Sequence, residues 1–329
     1  MKDLTKGKPS RLILAFAIPI FMANILQLTY SIVDTRIVGS YLGENSLAAV
    51  GATTTLSNLM IGFLMGLANG FAIITAQKFG ARDYAGVKKS FALSIKMGCI
   101  IALAITVLCL LFLRQILGFL NVSNDLMGMA VSYIFIIIAG LVATFLYDAC
   151  AAALRALGDT VTPLVILAVS VCLYMAGDIF FVVVLKAGVA GAAIATVLAQ
   201  VIAFIVCYVY MVKRYELLRL SRSDLFDSHL LRRHLKSSDE NCDTEGAECK
   251  DSENNMTPEV IAVMKMTMLK AGLSMAFMSS LVNIGSLTLQ TAINRLGQDI
   301  IVAHTAARKI SEIFMVMFTV FGQTNHKIH

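Results

Sequence analysis

The stretch Leu154-Arg155-Ala156-Leu157-Gly158-Asp159-Thr160-Val161-Thr162-Pro163 is a polar turn, and it opens onto an apolar run that reaches Leu185 with one charge, Asp178. A break at Lys186-Ala187-Gly188 leads into a second apolar run beginning Val189-Ala190-Gly191-Ala192-Ala193-Ile194-Ala195-Thr196. The pattern predicts two membrane-spanning helices. From Pro163 to Asp178 is roughly 22 Å of helix, which carries the carboxyl past the middle of a ~30 Å hydrocarbon core. An ionised side chain at that depth costs several kcal/mol. Asp178 therefore marks a functional site, unless it sits near a helix end and reaches headgroups or a neighbouring Lys.

Composition agrees with a polytopic helical protein. Of 329 residues, 58% are hydrophobic and only 15% charged, where a soluble domain carries about a quarter charged residues. Eight spans are expected, at 12–33, 47–76, 91–113, 128–153, 163–185, 190–212, 266–293 and 300–323. No small-residue cleavage site follows the first run, so it reads as a retained span and not a signal peptide. Lys and Arg crowd the segments 1–11, 77–90 and 213–265. Each loop on the other side carries a single basic residue, Arg36, Arg114, Lys186 or Arg295. The positive-inside rule then places the N-terminus in the cytoplasm of a protein of the cell membrane. The net charge of +6 is distributed beside the spans and is no nucleic-acid signature. Five of the seven Cys lie in apolar runs, and Cys242 and Cys249 with His229 and His234 fit no zinc spacing. A membrane-embedded enzyme would need clustered His and carboxylates, and only His304 lies in a span.

Helix 1 carries Pro19, which removes a backbone hydrogen bond, and the polar residues Asn24, Gln27, Tyr30 and Asp34. Tyr30 and Asp34 are four apart and share a face, as do Tyr174 and Asp178 on helix 5. Two Tyr–Asp pairs on separate helices are expected to face one cavity. Helix 2 has Gly62, Gly66 and Gly70 at four-residue spacing, a seam that lets another helix approach closely. Asp148 with Arg155 near the inner end of helix 4 reads as a structural ion pair, and Arg308 with Glu312 on helix 8 as another. The segment 213–265 reads as a cytoplasmic linker. Its first part is an amphipathic surface helix, and from Asp239 to Glu253 an acidic tract has seven carboxylates against one Lys and should stay disordered.

A shift of 254 residues aligns Leu42-Gly43-Glu44-Asn45-Ser46-Leu47-Ala48-Ala49 with Leu296-Gly297-Gln298-Asp299-Ile300-Ile301-Val302-Ala303 and brings helices 1 and 2 onto 7 and 8. Two parallel repeats joined by a long linker are a transporter plan. The sequence divides into a six-helix lobe (1–212), the linker (213–265), the first two helices of a second lobe (266–323) and a tail (324–329).

In these features the chain resembles the MATE (multidrug and toxic compound extrusion) family, nearer its DinF-like branch. The residues that carry the likeness are Val33-Asp34-Thr35 before Leu42-Gly43, Gln77 to Asp83, Leu154 to Pro163, and Gly188 to Thr196. The resemblance implies an all-α MATE-like bundle of two six-helix lobes, here truncated after helix 8. It implies export of small organic cations across the bilayer in exchange for protons or sodium, with no cofactor. It places the cation and substrate site at Tyr30, Asp34, Asp178 and Thr196, and the polar residues Tyr174 and Asn24 on the same two long helices, 5 and 1, complete the expected site. Tyr174 stands where the family often has Asn. Residues 271–293 lack the helix-7 carboxylate of sodium-coupled members, so proton coupling is the expectation. A lipid-linked flippase of the same superfamily would need a more basic cavity than these spans offer, and a non-transporting remnant is the other alternative.

Overall fold

The computed structural model describes residues 9–215, Leu218, 258–293 and scattered positions from Arg295 to Ser311. All regular structure among these residues is helical. The helices are α1 (Pro9–Leu42), α2 (Glu44–Gly80), α3 (Tyr84–Leu111), the short α4 (Leu113–Phe119), α5 (Asn124–Ala139), α6 (Leu141–Ala156), α7 (Val161–Asp178), α8 (Gly188–Arg214) and α9 (Pro258–Ile293). The backbone of α7 continues without a break into a wider π-helical stretch, Ile179–Val184.

Long apolar α2, α3, α8, α9 and α7 with its extension are each able to cross a membrane. The span expected at 128–153 is not straight: α5 and α6 meet at Gly140 and are bent 42°. A Cβ on Gly140 would stand 2.5 Å from Val197 Cγ2, so the bend lets α8 press against the corner where only glycine fits. The helix expected from 266 begins eight residues earlier, at Pro258. That position suits proline because its missing N–H is one the first turn leaves unused anyway. The expected span 300–323, apart from a few helical positions, the linker from 219 to 257 and Glu312 all lie outside the described residues.

The bundle is built around α2, which packs against α1, α3, α5, α6 and α9. Leu64, Leu67 and Phe71 of α2 interlock with Leu117, Ile134 and Phe145 in the largest apolar cluster. The glycine seam does what its spacing predicts. A Cβ on Gly66 would lie 2.7 Å from the Met275 carbonyl oxygen, and one on Gly70 would lie 2.6 Å from that of Ala271. Backbone therefore meets backbone along α2 and α9. Arg308 adds a second tie to α2, donating to Thr55 Oγ1 at 3.1 Å.

The turns before α3 and α7 are set by carboxylates. Asp83 accepts from the Gly86 N–H at 2.8 Å and from Lys78 Nζ at 2.9 Å, capping α3 and closing the turn in which Arg82 takes a left-handed φ of 59°. The Lys78 ammonium and the Gly86 amide hold the Asp83 carboxyl below its ordinary range. Asp159 accepts from the Thr162 N–H at 3.0 Å, the Thr162 hydroxyl at 2.7 Å and the Tyr215 hydroxyl at 3.2 Å. It thereby starts α7 and pins the residue that follows α8. Burial, and then the charge of Asp159, push the Tyr215 phenol up to about 12. Leu218 is buried beside Met211 and Leu157.

Candidate functional site

α1 and α7 pack side by side with α8 behind them, and this arrangement brings the two predicted Tyr–Asp pairs together. The rings of Tyr30 and Tyr174 meet edge to face, their centroids 5.1 Å apart. Tyr174 is buried against Ala195 and Ala199 of α8. A Cβ on Gly177 would be 3.2 Å from that of Ala195, so small residues on both helices bring the α7 backbone close to α8.

One turn beyond Tyr174, Asp178 is 0% exposed, and neither carboxylate oxygen has a hydrogen-bond partner in the structure. It sits at the last α-helical position before the π-helical stretch. Asp34, half-buried on α1, lies within electrostatic reach of Asp178, Tyr30 and Tyr174. Two carboxyls held together in an apolar bundle repel, and a buried carboxylate is stable only when a cation or a proton neutralises it. A cluster of this kind can accept a positive charge.

Of the six residues expected at the site, four gather here: Asp34, Asp178, Tyr30 and Tyr174. Thr196 follows Ala195 on α8, and its hydroxyl donates to the Ala192 carbonyl at 3.0 Å within its own helix. Asn24 lies ten residues before Asp34, about 15 Å along α1, and belongs to a different level of the bundle. A fifth member was not anticipated. Tyr133 of α5 is in reach of Asp34, Tyr30 and Asp178, and packs with Val38, Val182 and Ala192. Its sequence signal is a hydroxyl-bearing ring inside an otherwise apolar run, Tyr133-Ile134-Phe135-Ile136-Ile137-Ile138.

The ion pair expected between Asp148 and Arg155 does not form within 4 Å. The two residues are seven apart, two turns of helix, beyond the reach of an i, i+4 pair. Arg155 instead donates to Asn69 Oδ1 of α2 at 3.4 Å. Arg308 donates to Thr55, and its expected partner Glu312 lies outside the described residues.

Several apolar helices of membrane length around a buried carboxyl and a half-buried one define a multi-pass helical membrane protein with an ionisable centre. The MatE family model matches residues 19–180, which include both carboxyls of the cluster. The chain is 28% identical over 211 residues to the probable multidrug resistance protein YpnP of Bacillus subtilis, covering 64% of this chain and 47% of that one. It is 29% identical over 243 residues to the probable multidrug resistance protein YoeA of the same organism, covering 71% and 50%. Among solved structures, a MOP superfamily transporter from Pyrococcus furiosus superposes with a TM-score of 0.77 at 22% identity, over 99% of this chain and 65% of that one. An outward-facing multidrug resistance MATE family transporter also gives 0.77 at 22% identity, over 98% and 65%. Over residues 19–180 the chain is thus similar to the MATE family. It spans about half the length of the curated relatives it matches.

Proposed function

We propose that this chain exports small organic cations across the cell membrane by exchange for protons, with its N-terminus in the cytoplasm and its affinities nearest the DinF-like branch of the family. The observation that carries the reading is the state of Asp178, which is wholly buried, has no hydrogen-bond partner and stands within reach of a second carboxyl. The names of the relatives, which describe multidrug resistance and export, point the same way.

In this reading an organic cation binds at the cluster within the first lobe and neutralises Asp34 and Asp178, while the faces of Tyr30, Tyr133 and Tyr174 offer it cation–π contact. A proton arriving from outside takes the place of the positive guest, because the pair tolerates one neutralising charge at a time. The cation leaves outward, and the proton is released after the site turns inward. Proton is preferred over sodium because residues 271–293 of α9 contain no carboxylate. No cofactor is required.

The test is Asp178→Asn, an isosteric change, assayed by ethidium efflux from cells that lack other pumps and by proton-driven dye transport in proteoliposomes. Efflux falls to the vector background and dye movement no longer follows an imposed pH gradient. Normal, gradient-driven efflux by this variant overturns the reading.

A further inference from the structure

One charge on α3 serves neither the carboxyl cluster nor the packing of the bundle. α3 is long and apolar enough to cross a membrane, yet it carries Lys96 twelve residues, about 18 Å, from its start at Tyr84. Its buried side is built from Val87, Ser94, Gly98, Ala102 and Cys109, and Gly98 seats the Phe145 ring of α6. Helical spacing puts Lys96 on the opposite side, where it is exposed. From Lys96 the open stripe runs on through Ile100, Leu103 and Val107, each at least half exposed.

Among the described residues no hydrogen bond or ion pair involves the Lys96 ammonium, and α3 contains no Asp or Glu that could answer it. Seven residues earlier, within about 20° of the same line, Lys89 adds a second positive charge about 10 Å nearer the turn. Depth decides what meets these charges. With Arg114 at the far interface, the uncharged stretch 97–113 spans at most about 25 Å, short of a ~30 Å hydrocarbon core. Lys96 therefore leaves the helix a little below the polar boundary. Its four-carbon stem stays in hydrocarbon and returns the ammonium to the phosphate level. Left unanswered so close to hydrocarbon, that charge is costly. A zwitterionic lipid brings an ammonium of its own with its phosphate, whereas an anionic lipid brings the phosphate alone, and two lysines on one line favour the latter.

We propose that Lys96, with Lys89 above it, is a docking site for an anionic phospholipid. The lipid phosphate lies on the Lys96 ammonium, and the acyl chains run along Ile100, Leu103 and Val107. The site uses no residue of the carboxyl cluster, and it rests on the membrane-spanning character of α3 and not on the export reading.

The chain contains no Trp, so a single introduced indole reports on its own surroundings. Leu103→Trp places it about 10 Å deeper than Lys96 on the same stripe, at the level of mid-chain bromines. The full chain is reconstituted in phosphatidylcholine vesicles that contain either brominated phosphatidylglycerol or brominated phosphatidylcholine, and quenching gives the preference between them. Leu103→Trp shows about a fivefold preference for the anionic lipid. Adding Lys96→Gln brings it close to parity while quenching by brominated phosphatidylcholine is unchanged, so the helix is still in the bilayer. Adding Lys96→Arg retains the preference. Val169→Trp, on the exposed side of α7, a helix without Lys or Arg, reads parity. Parity at Leu103→Trp, an equal preference at Val169→Trp, or a preference undiminished by Lys96→Gln overturns the proposal.

Discussion

Asp159 and Asp178 sit at opposite ends of the same helix and have opposite fates. Asp159, at the N-terminal end of α7, accepts three hydrogen bonds and ties the start of that helix to the residue after α8. Asp178, at the C-terminal end, accepts none. Asp83 resembles Asp159, answered by an amide and an ammonium. A carboxylate whose donors are built in is a structural fastener. One denied donors in a dry setting is held open for a mobile charge, and the fold bears the cost of keeping it so.

The largest expected effect separates the two ends directly. Asp178→Asn abolishes efflux in the ethidium assay and leaves the melting temperature equal or higher, since it removes an unanswered carboxyl. A clear loss of melting temperature would instead make Asp178 a fastener as well. Asp159→Ala does the reverse. It costs about 1–2 kcal/mol through the lost cap of α7 and the freed Tyr215, and it lowers the melting temperature in nanodiscs. Asp83→Ala costs about 1 kcal/mol by the same measurement. The charge contribution there is smaller, because both partners are a third exposed and solvent screens them.

Two smaller effects follow from titration. Because the Asp83 carboxyl is held below its ordinary range in the folded protein, its contribution is complete above that range. It is lost as the pH falls through the lowered value. Melting curves of the parent and Asp83→Asn should converge under acid. Tyr215 has the opposite sign. Its phenol is raised to about 12, so its contribution is present below the ordinary tyrosine range and disappears as the pH climbs toward that value. An absorbance titration of the parent against Tyr215→Phe locates this phenol near 12, and Asp159→Asn brings it back toward 10.

The all-helical class and the spans are legible because runs of apolar residues longer than any core helix needs have one physical use. The seam at Gly62, Gly66 and Gly70 is legible too, since four-residue spacing of glycines places three gaps on one face. Spacing also placed each Tyr with its Asp. It says nothing about which helices become neighbours, so Tyr133, contributed by α5, escaped notice. The corner at Gly140 hides inside a run that stays apolar on both sides. The π-helical stretch after Asp178 depends on how α7 meets α8 and leaves no local mark. The pairing of Asp148 with Arg155 failed on a distance that seven residues of helix already implied.

At Gly66 and Gly70 the ribbons of α2 and α9 touch directly, while Leu67 and Phe71 of α2 fill the gap that Gly272 leaves on the facing helix. Bare backbone turns with less friction than meshed side chains, which must climb over one another. The contact lies just past the middle of α2, so small rotations there are levered into larger displacements at both ends. A methyl group added at Gly70 would act as a brake on that axle.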